Sequence, residues 1–160
     1  MRLLLLHHVP SRSLAALADA VLAGARDDAI GGVDVAVADP LDATADEVLA
    51  ADGYVLGTAA HLGYMSGALK HLFDRTFLSI GGALDDLPGG SAPSTAGRPY
   101  GLWVHGRYDV TGAVRSVQSV VGALGWRQVS PVLEAVGDVG ADELASAYEL
   151  GATLAATLME

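Results

Sequence analysis

Residues 54–73 read Tyr54-Val55-Leu56-Gly57-Thr58-Ala59-Ala60-His61-Leu62-Gly63-Tyr64-Met65-Ser66-Gly67-Ala68-Leu69-Lys70-His71-Leu72-Phe73. The stretch opens on Tyr54-Val55-Leu56, a short continuous apolar run of the kind found in a strand covered on both faces. After Gly57, residues 58–65 read as a loop, and Leu62, Met65, Leu69, Leu72 and Phe73 recur at helical spacing. Strand, loop, helix is the unit, and the same unit recurs on either side.

Upstream, Leu3 to Leu6 is another apolar run. It is followed by Leu14, Leu17, Ala18, Val21 and Leu22 on one helical face, with Ser11 or Ser13 placed to cap the first turn. Gly31-Gly32 then breaks the chain. Val33, Val35 and Val37 alternate with Asp34 and Ala36, the pattern of a strand covered less completely, at a sheet edge. A weak helix follows over residues 44–51. Downstream, Leu102-Trp103-Val104 supplies a strand, and Val110, Val114, Val117, Val121 and Leu124 the helix after it. Residues 127–133 make a poorer strand interrupted by Pro131, and a last helix, with Asp142 and Glu143 at its positive end, runs through Leu144, Tyr148, Gly151 and Leu158.

Five repeats of strand and helix predict an α/β fold: a three-layer, doubly wound, five-stranded parallel sheet with helices on both faces. The flavodoxin-like order 2-1-3-4-5 puts the alternating strand at an edge and ligands at the carboxyl ends of the strands. Three loops then matter, residues 7–13, 58–65 and 105–112. Residues 81–99 hold five glycines and three prolines and read as a loop insertion within one domain, 1–160, because neither side is a complete fold. The insertion starts at the far end of the sheet. It can reach the site only by folding upward or by reaching a neighbouring subunit, which favours a homodimer.

Composition narrows the partners. The chain has 19 acids against 9 bases, a formal charge of -10 and no cysteine. Such a charge repels phosphate backbones and anionic membranes, so neither nucleic acid nor a membrane is expected, and the partner is small. Cysteine chemistry is excluded, and a reducing compartment fits. The apolar run after Met1 stops at His7-His8, short of the roughly 7 to 15 residues of a signal-peptide core. No apolar stretch approaches the roughly 18 residues that cross a bilayer. A cytoplasmic protein is expected.

Several sites fail on spacing. The only lysine, Lys70, sits in Gly67-Ala68-Leu69-Lys70-His71, which is no phosphate-binding P-loop, and G-x-G-x-x-G is absent. Ser66 falls one position too late for a nucleophile elbow. His7-His8 are adjacent and His61 and His71 lie ten apart, so no metal is expected. What remains is a distribution. No Asp or Glu occurs in residues 1–18, 53–73 or 87–108, windows that contain three strand ends. Clearing carboxylates from a site is what a bound phosphate requires in an acidic protein. Ser11, Arg12 and Ser13 stand where a helix begins, and free N–H groups there favour an anion.

The run from Gly57 through Lys70-His71-Leu72-Phe73-Asp74-Arg75-Thr76 closely resembles the second flavin loop and following helix of the flavodoxin-like NAD(P)H-dependent FMN reductase and quinone reductase families. Tyr100-Gly101-Leu102-Trp103-Val104-His105-Gly106-Arg107-Tyr108-Asp109-Val110-Thr111-Gly112-Ala113 is similar to a third loop of bacterial flavodoxin family proteins, and Leu5 to Val21 matches their first strand, loop and helix in length. The resemblance implies that Ser11, Arg12 and Ser13 hold the phosphate of FMN. Thr58, Ala59, Ala60, His61, Leu62, Gly63, Tyr64 and Met65 would wrap the isoalloxazine ring, with His105, Gly106, Arg107 and Tyr108 on its other side. Two departures stand out: Val9-Pro10-Ser11-Arg12-Ser13 lacks the glycine and one hydroxyl of the usual first loop, and Ala59 replaces a frequent proline. The implied activity is reduction of a small acceptor, such as a quinone or free flavin, with NADPH or NADH as co-substrate. The alternatives are a non-enzymatic electron carrier and a flavodoxin-like scaffold without a cofactor.

Overall fold

The computed structural model describes residues 1–82 and 94–160. Its strands are β1 (Arg2–His7), β2 (Asp34–Ala38), β3 (Gly53–His61), β4 (Tyr64–Met65), β5 (Pro99–Gly106), β6 (Arg127–Gln128) and β7 (Leu133–Val136). Between them lie helices α1 (Arg12–Ala25), α2 (Ala45–Ala50), α3 (Gly67–Thr76), α4 (Thr111–Ala123) and α5 (Ala141–Thr157), with a 3-10 turn, Phe77–Ile80, after α3.

Alternation along the central strands builds two cores, because successive side chains point to opposite faces. Leu3 and Leu5 of β1, Val55 of β3 and Trp103 of β5 pack with Leu14 and Leu17 of α1 and Leu150 and Leu154 of α5. Leu4, Leu6, Tyr54 and Leu56 turn the other way, onto Leu69, Leu72 and Phe73 of α3 and Val114 and Val117 of α4. The result is the expected sheet between two helical layers. Its order is β2-β1-β3-β5-β6, with the alternating strand β2 at one edge.

The helix starts follow local chemistry. Ser11 Oγ accepts from Leu14 N at the head of α1, and Thr44 forms a reciprocal capping box with Glu47 at the head of α2.

Three expectations need correction. The fifth strand is two short pieces: β6 pairs with Pro99 and Tyr100 at one end of β5, and β7 pairs with residues Trp103 to Gly106 at the other. Pro131, which has no N–H for a ladder, lies in the gap, and the second piece runs past the predicted limit of Leu133 to Val136. Residues 58–65 are not an open loop, because β3 continues to His61 and β4 returns antiparallel to it. Leu62 and Met65 therefore lie in a hairpin and not on α3, which begins at Gly67.

The segment between α3 and β5 has its ends joined: Thr95 N and Oγ1 both donate to Ile80 O, at 3.1 and 2.9 Å. Residues 83–93 of the predicted 81–99 insertion lie outside the described residues. Among the described residues no helix is long and apolar enough to cross a membrane.

Candidate functional site

The strand order sets the location. β1, β3 and β5 are neighbours, and their carboxyl ends carry the β1–α1 connection, the β3–β4 hairpin and the β5–α4 connection side by side. The chain passes from β1 outward to β2 and then back to β3 on the other side of β1. The β1–β3 boundary is therefore the point where the winding reverses and where such sheets take ligands.

The first connection is short. Val9, Pro10, Ser11 and Arg12 are exposed, and Ser13 is half-buried. Ser11 Oγ is occupied by Leu14 N at 3.3 Å. Arg12 has no ion pair among the described residues, and the first-turn N–H groups of α1 have no intrahelical acceptor. Beside this segment His8 Nδ1 lies 2.8 Å from Asp39 Oδ2, at the end of β2.

The second connection turns tightly at Leu62 and Gly63, both with positive φ, 51° and 76°. Two left-handed residues in a two-residue loop are what a type I′ hairpin needs. Gly63 adopts that backbone freely, whereas Leu62 carries a Cβ into a disfavoured region and projects its side chain fully into solvent. The hairpin is fixed from below. Thr58 Oγ1 accepts from Ser66 N at 2.9 Å and donates to Ala59 O, and Ser116 Oγ of α4 accepts from Met65 N at 3.1 Å. A Cβ on Gly112 would stand 1.9 Å from Gly63 O, so α4 starts directly against the turn.

The third connection leaves β5 at Gly106. His105 Nε2 lies 2.8 Å from Gly137 O, and a carbonyl only accepts, so Nε2 carries the proton. Arg107 pairs with Asp138 at 3.0 Å, Asp109 Oδ1 accepts from Thr111 N, and Tyr108 is 83% exposed.

The fifteen sequence-predicted residues therefore divide. Exposed and gathered at one edge are Ser11, Arg12, His61, Leu62, Gly63, Tyr64, Arg107 and Tyr108, with Ser13, Ala60 and His105 partly buried among them. Thr58, Ala59, Met65 and Gly106 are buried beneath them. The acid-free windows also turn out to have acidic neighbours in space, since Asp39 arrives through β2 and Asp138 through the turn after β7. Each of these two carboxylates is paired, with His8 and Arg107 respectively.

Sequence reasoning put His7 at the start of the first loop, residues 7–13, without a binding role, and read Trp103 only as part of a strand. His7 Nδ1 and Trp103 Nε1 are buried without a hydrogen-bond partner. Burial is the main influence on His7 and holds its imidazole below the ordinary 6.5, against the opposing pull of Asp39 and Asp19. The available signal was Gly57, a glycine inside an apolar strand, which marks a close approach.

An FMN molecule needs anion donors beside an apolar, partly aromatic edge, and both are present. Arg12 and the open α1 start supply the first, and Leu62, Tyr64 and Tyr108 the second. Gly63 leaves open space, since a Cβ there would meet nothing within 4 Å.

Comparison with known proteins agrees. The chain is similar in structure to a flavodoxin from the domain Archaea, with a TM-score of 0.80, 18% identity and full coverage of both chains. It is also similar to a mutant flavodoxin from Pseudomonas aeruginosa, at 0.72 and 20%, again over the full length of both. A WrbA-like flavodoxin from Agrobacterium tumefaciens gives 0.68 and 16%, over 99% of this chain and 96% of that one. At these identities the likeness establishes the fold. No curated protein sequence matches the chain. The family model for NADPH-dependent FMN reductase matches residues 9–137, most of the chain, and so this protein belongs to that family of FMN-binding, flavodoxin-like oxidoreductases.

Proposed function

We propose that the protein binds FMN across the carboxyl ends of β1, β3 and β5 and uses NADPH or NADH to reduce a small acceptor, such as a quinone or free flavin. The observation that carries this reading is the side-by-side placement of an exposed Arg12 at a helix start and an exposed Leu62–Tyr64 hairpin tip, beside the exposed Tyr108. FMN, when bound, supplies the hydride and electron chemistry, so no acid–base dyad is required of the protein.

The chain's own residues bind and orient. Arg12, Ser13 and the N–H groups that open α1 favour the phosphate. The Leu62–Gly63 turn offers backbone at close range, Leu62 and Tyr108 exclude water by their apolar surface, and Arg107 lies at the rim, where a nicotinamide nucleotide's phosphate would meet it. His105 holds its Nε2 proton on Gly137 O, which leaves exposed His61 and Tyr64 as the groups free to pass a proton to an acceptor.

A second reading, an electron carrier that docks on basic partners, draws on the formal charge of -10. Protein reconstituted with FMN and desalted should be yellow; colourless protein that leaves FMN fluorescence unquenched overturns both readings. Anaerobic mixing of the yellow form with NADPH or NADH then separates them: rapid bleaching supports the reductase, and a colour that persists for many minutes supports the carrier.

A further inference from the structure

His7 and Trp103 belong to one row across the sheet. His7 is in register with Gly57 across β1 and β3, and Gly57 with Trp103 across β3 and β5. The indole lies over the glycine: a Cβ on Gly57 would stand 2.1 Å from Trp103 Cε2 and 2.6 Å from its Nε1. Imidazole and indole centroids are 6.1 Å apart, so the two rings are neighbours on one face of the sheet. Trp103 is fully buried, and a buried N–H without an acceptor is rare in native structures. The other tryptophan shows the satisfied case, since Trp126 Nε1 donates to Thr95 Oγ1 at 2.7 Å. From His7 the chain runs through exposed Val9, Pro10 and Ser11 into α1.

We infer that His7 Nδ1 and Trp103 Nε1 are donors to a phosphate monoester, which reaches them when the Val9–Pro10–Ser11 segment moves aside and is then held between this pair and the start of α1. The inference rests on the FMN reading and deepens it, by naming phosphate partners outside the hydroxyls of the first loop. Trp103 can only donate, and His7 donates from Nδ1 when protonated or as that tautomer. Asp39 and Asp19 are the acids that act on His7, and His8 is its neighbour on the chain. Burial keeps His7 neutral, so a bound phosphate would draw its pKa upward.

The test follows the indole N–H resonances of Trp103 and Trp126 and the titration of His7 by NMR. The full chain is titrated separately with FMN, riboflavin and inorganic phosphate. FMN and inorganic phosphate should move the Trp103 resonance and raise the His7 pKa, riboflavin should do neither, and Trp126 should stay still. Trp103→Phe and His7→Asn should each weaken FMN about tenfold while leaving riboflavin affinity unchanged. FMN bound with quenched fluorescence while Trp103 and His7 remain unmoved overturns the inference and leaves the flavin reading standing. FMN unbound while inorganic phosphate moves both groups sinks the flavin reading and keeps the pair as a site for another phosphorylated ligand. FMN that does not bind, together with no response to inorganic phosphate, overturns both. Should Trp103→Phe fail to fold, the wild-type titration decides alone.

Discussion

His8 Nδ1 lies 2.8 Å from Asp39 Oδ2, and this contact clamps the connection after β1 to the end of the neighbouring edge strand. Burial opposes ionisation of Asp39, but the hydrogen bonds from His8 and from Leu41 N–H outweigh it and hold the carboxyl below its usual 3.8. The stability this contributes is present above that value and disappears as pH falls through the folded-state value. Both partners are about a third exposed, so Asp39→Asn should cost only about 0.5 kcal/mol at neutral pH and less at pH 2. Denaturant midpoints of the two proteins at both pH values check this, and coincident midpoints at neutral pH would show that the contact holds nothing.

His7 works in the opposite direction. Its folded-state pKa is depressed, chiefly by burial, so the unfolded chain protonates first as pH falls below 6.5. Stability is full above that value and declines as pH drops toward the folded-state pKa, with a slope no steeper than about 1.4 kcal/mol per pH unit. His7→Asn should flatten that part of the profile. Thermal melts of both proteins between pH 7 and 5 provide the comparison.

Leu62 holds a positive φ that leucine adopts at a cost of about 1–2 kcal/mol, and its exposed side chain recovers none of it by packing within the chain. Leu62→Asn should therefore raise Tm by several degrees. If Leu62 also covers the flavin, the same variant binds FMN more weakly. A stabilised protein with unchanged FMN affinity would remove Leu62 from the site.

Gly57→Ala places a methyl group within 2.1 Å of the fully buried Trp103 ring, so the rigid indole must move. The expected cost is about 3 kcal/mol, the upper end for overpacking. A second change, Trp103→Leu, should restore much of it by opening the space over residue 57. Urea denaturation of the single and double variants measures the coupling; additive losses would mean that the indole does not set the limit.

The layer order was legible because it depends on runs that any reader can count: Leu3 to Leu6, Tyr54 to Leu56 and Leu102 to Val104 are strands covered on both faces. The hairpin was not, because its turn carries Leu62-Gly63 where asparagine or aspartate before glycine would announce a type I′ turn. Met65, which falls on helical spacing with Leu69 and Leu72, is buried from β4 instead. The edges of the site were visible as polar and glycine-rich stretches at strand ends. Its buried row was not, since His7, Gly57 and Trp103 meet only through strand register, which a linear pattern does not encode. Register also explains why Asp39 reaches a strand end whose own sequence window is free of acids.

The break between β6 and β7 bears on how the protein behaves in a crowded solution. An unbroken outer strand would offer a row of unpaired amides and carbonyls on which a second chain could extend the sheet. Here the outermost ladder is two fragments of two and four residues separated by Pro131, with Arg127 and Gln128 exposed on the first and Glu134 on the second. A stray strand would have to change register between the fragments and place its side chains beside charge. That geometry protects this edge of the sheet, opposite β2, against pairing with a second chain.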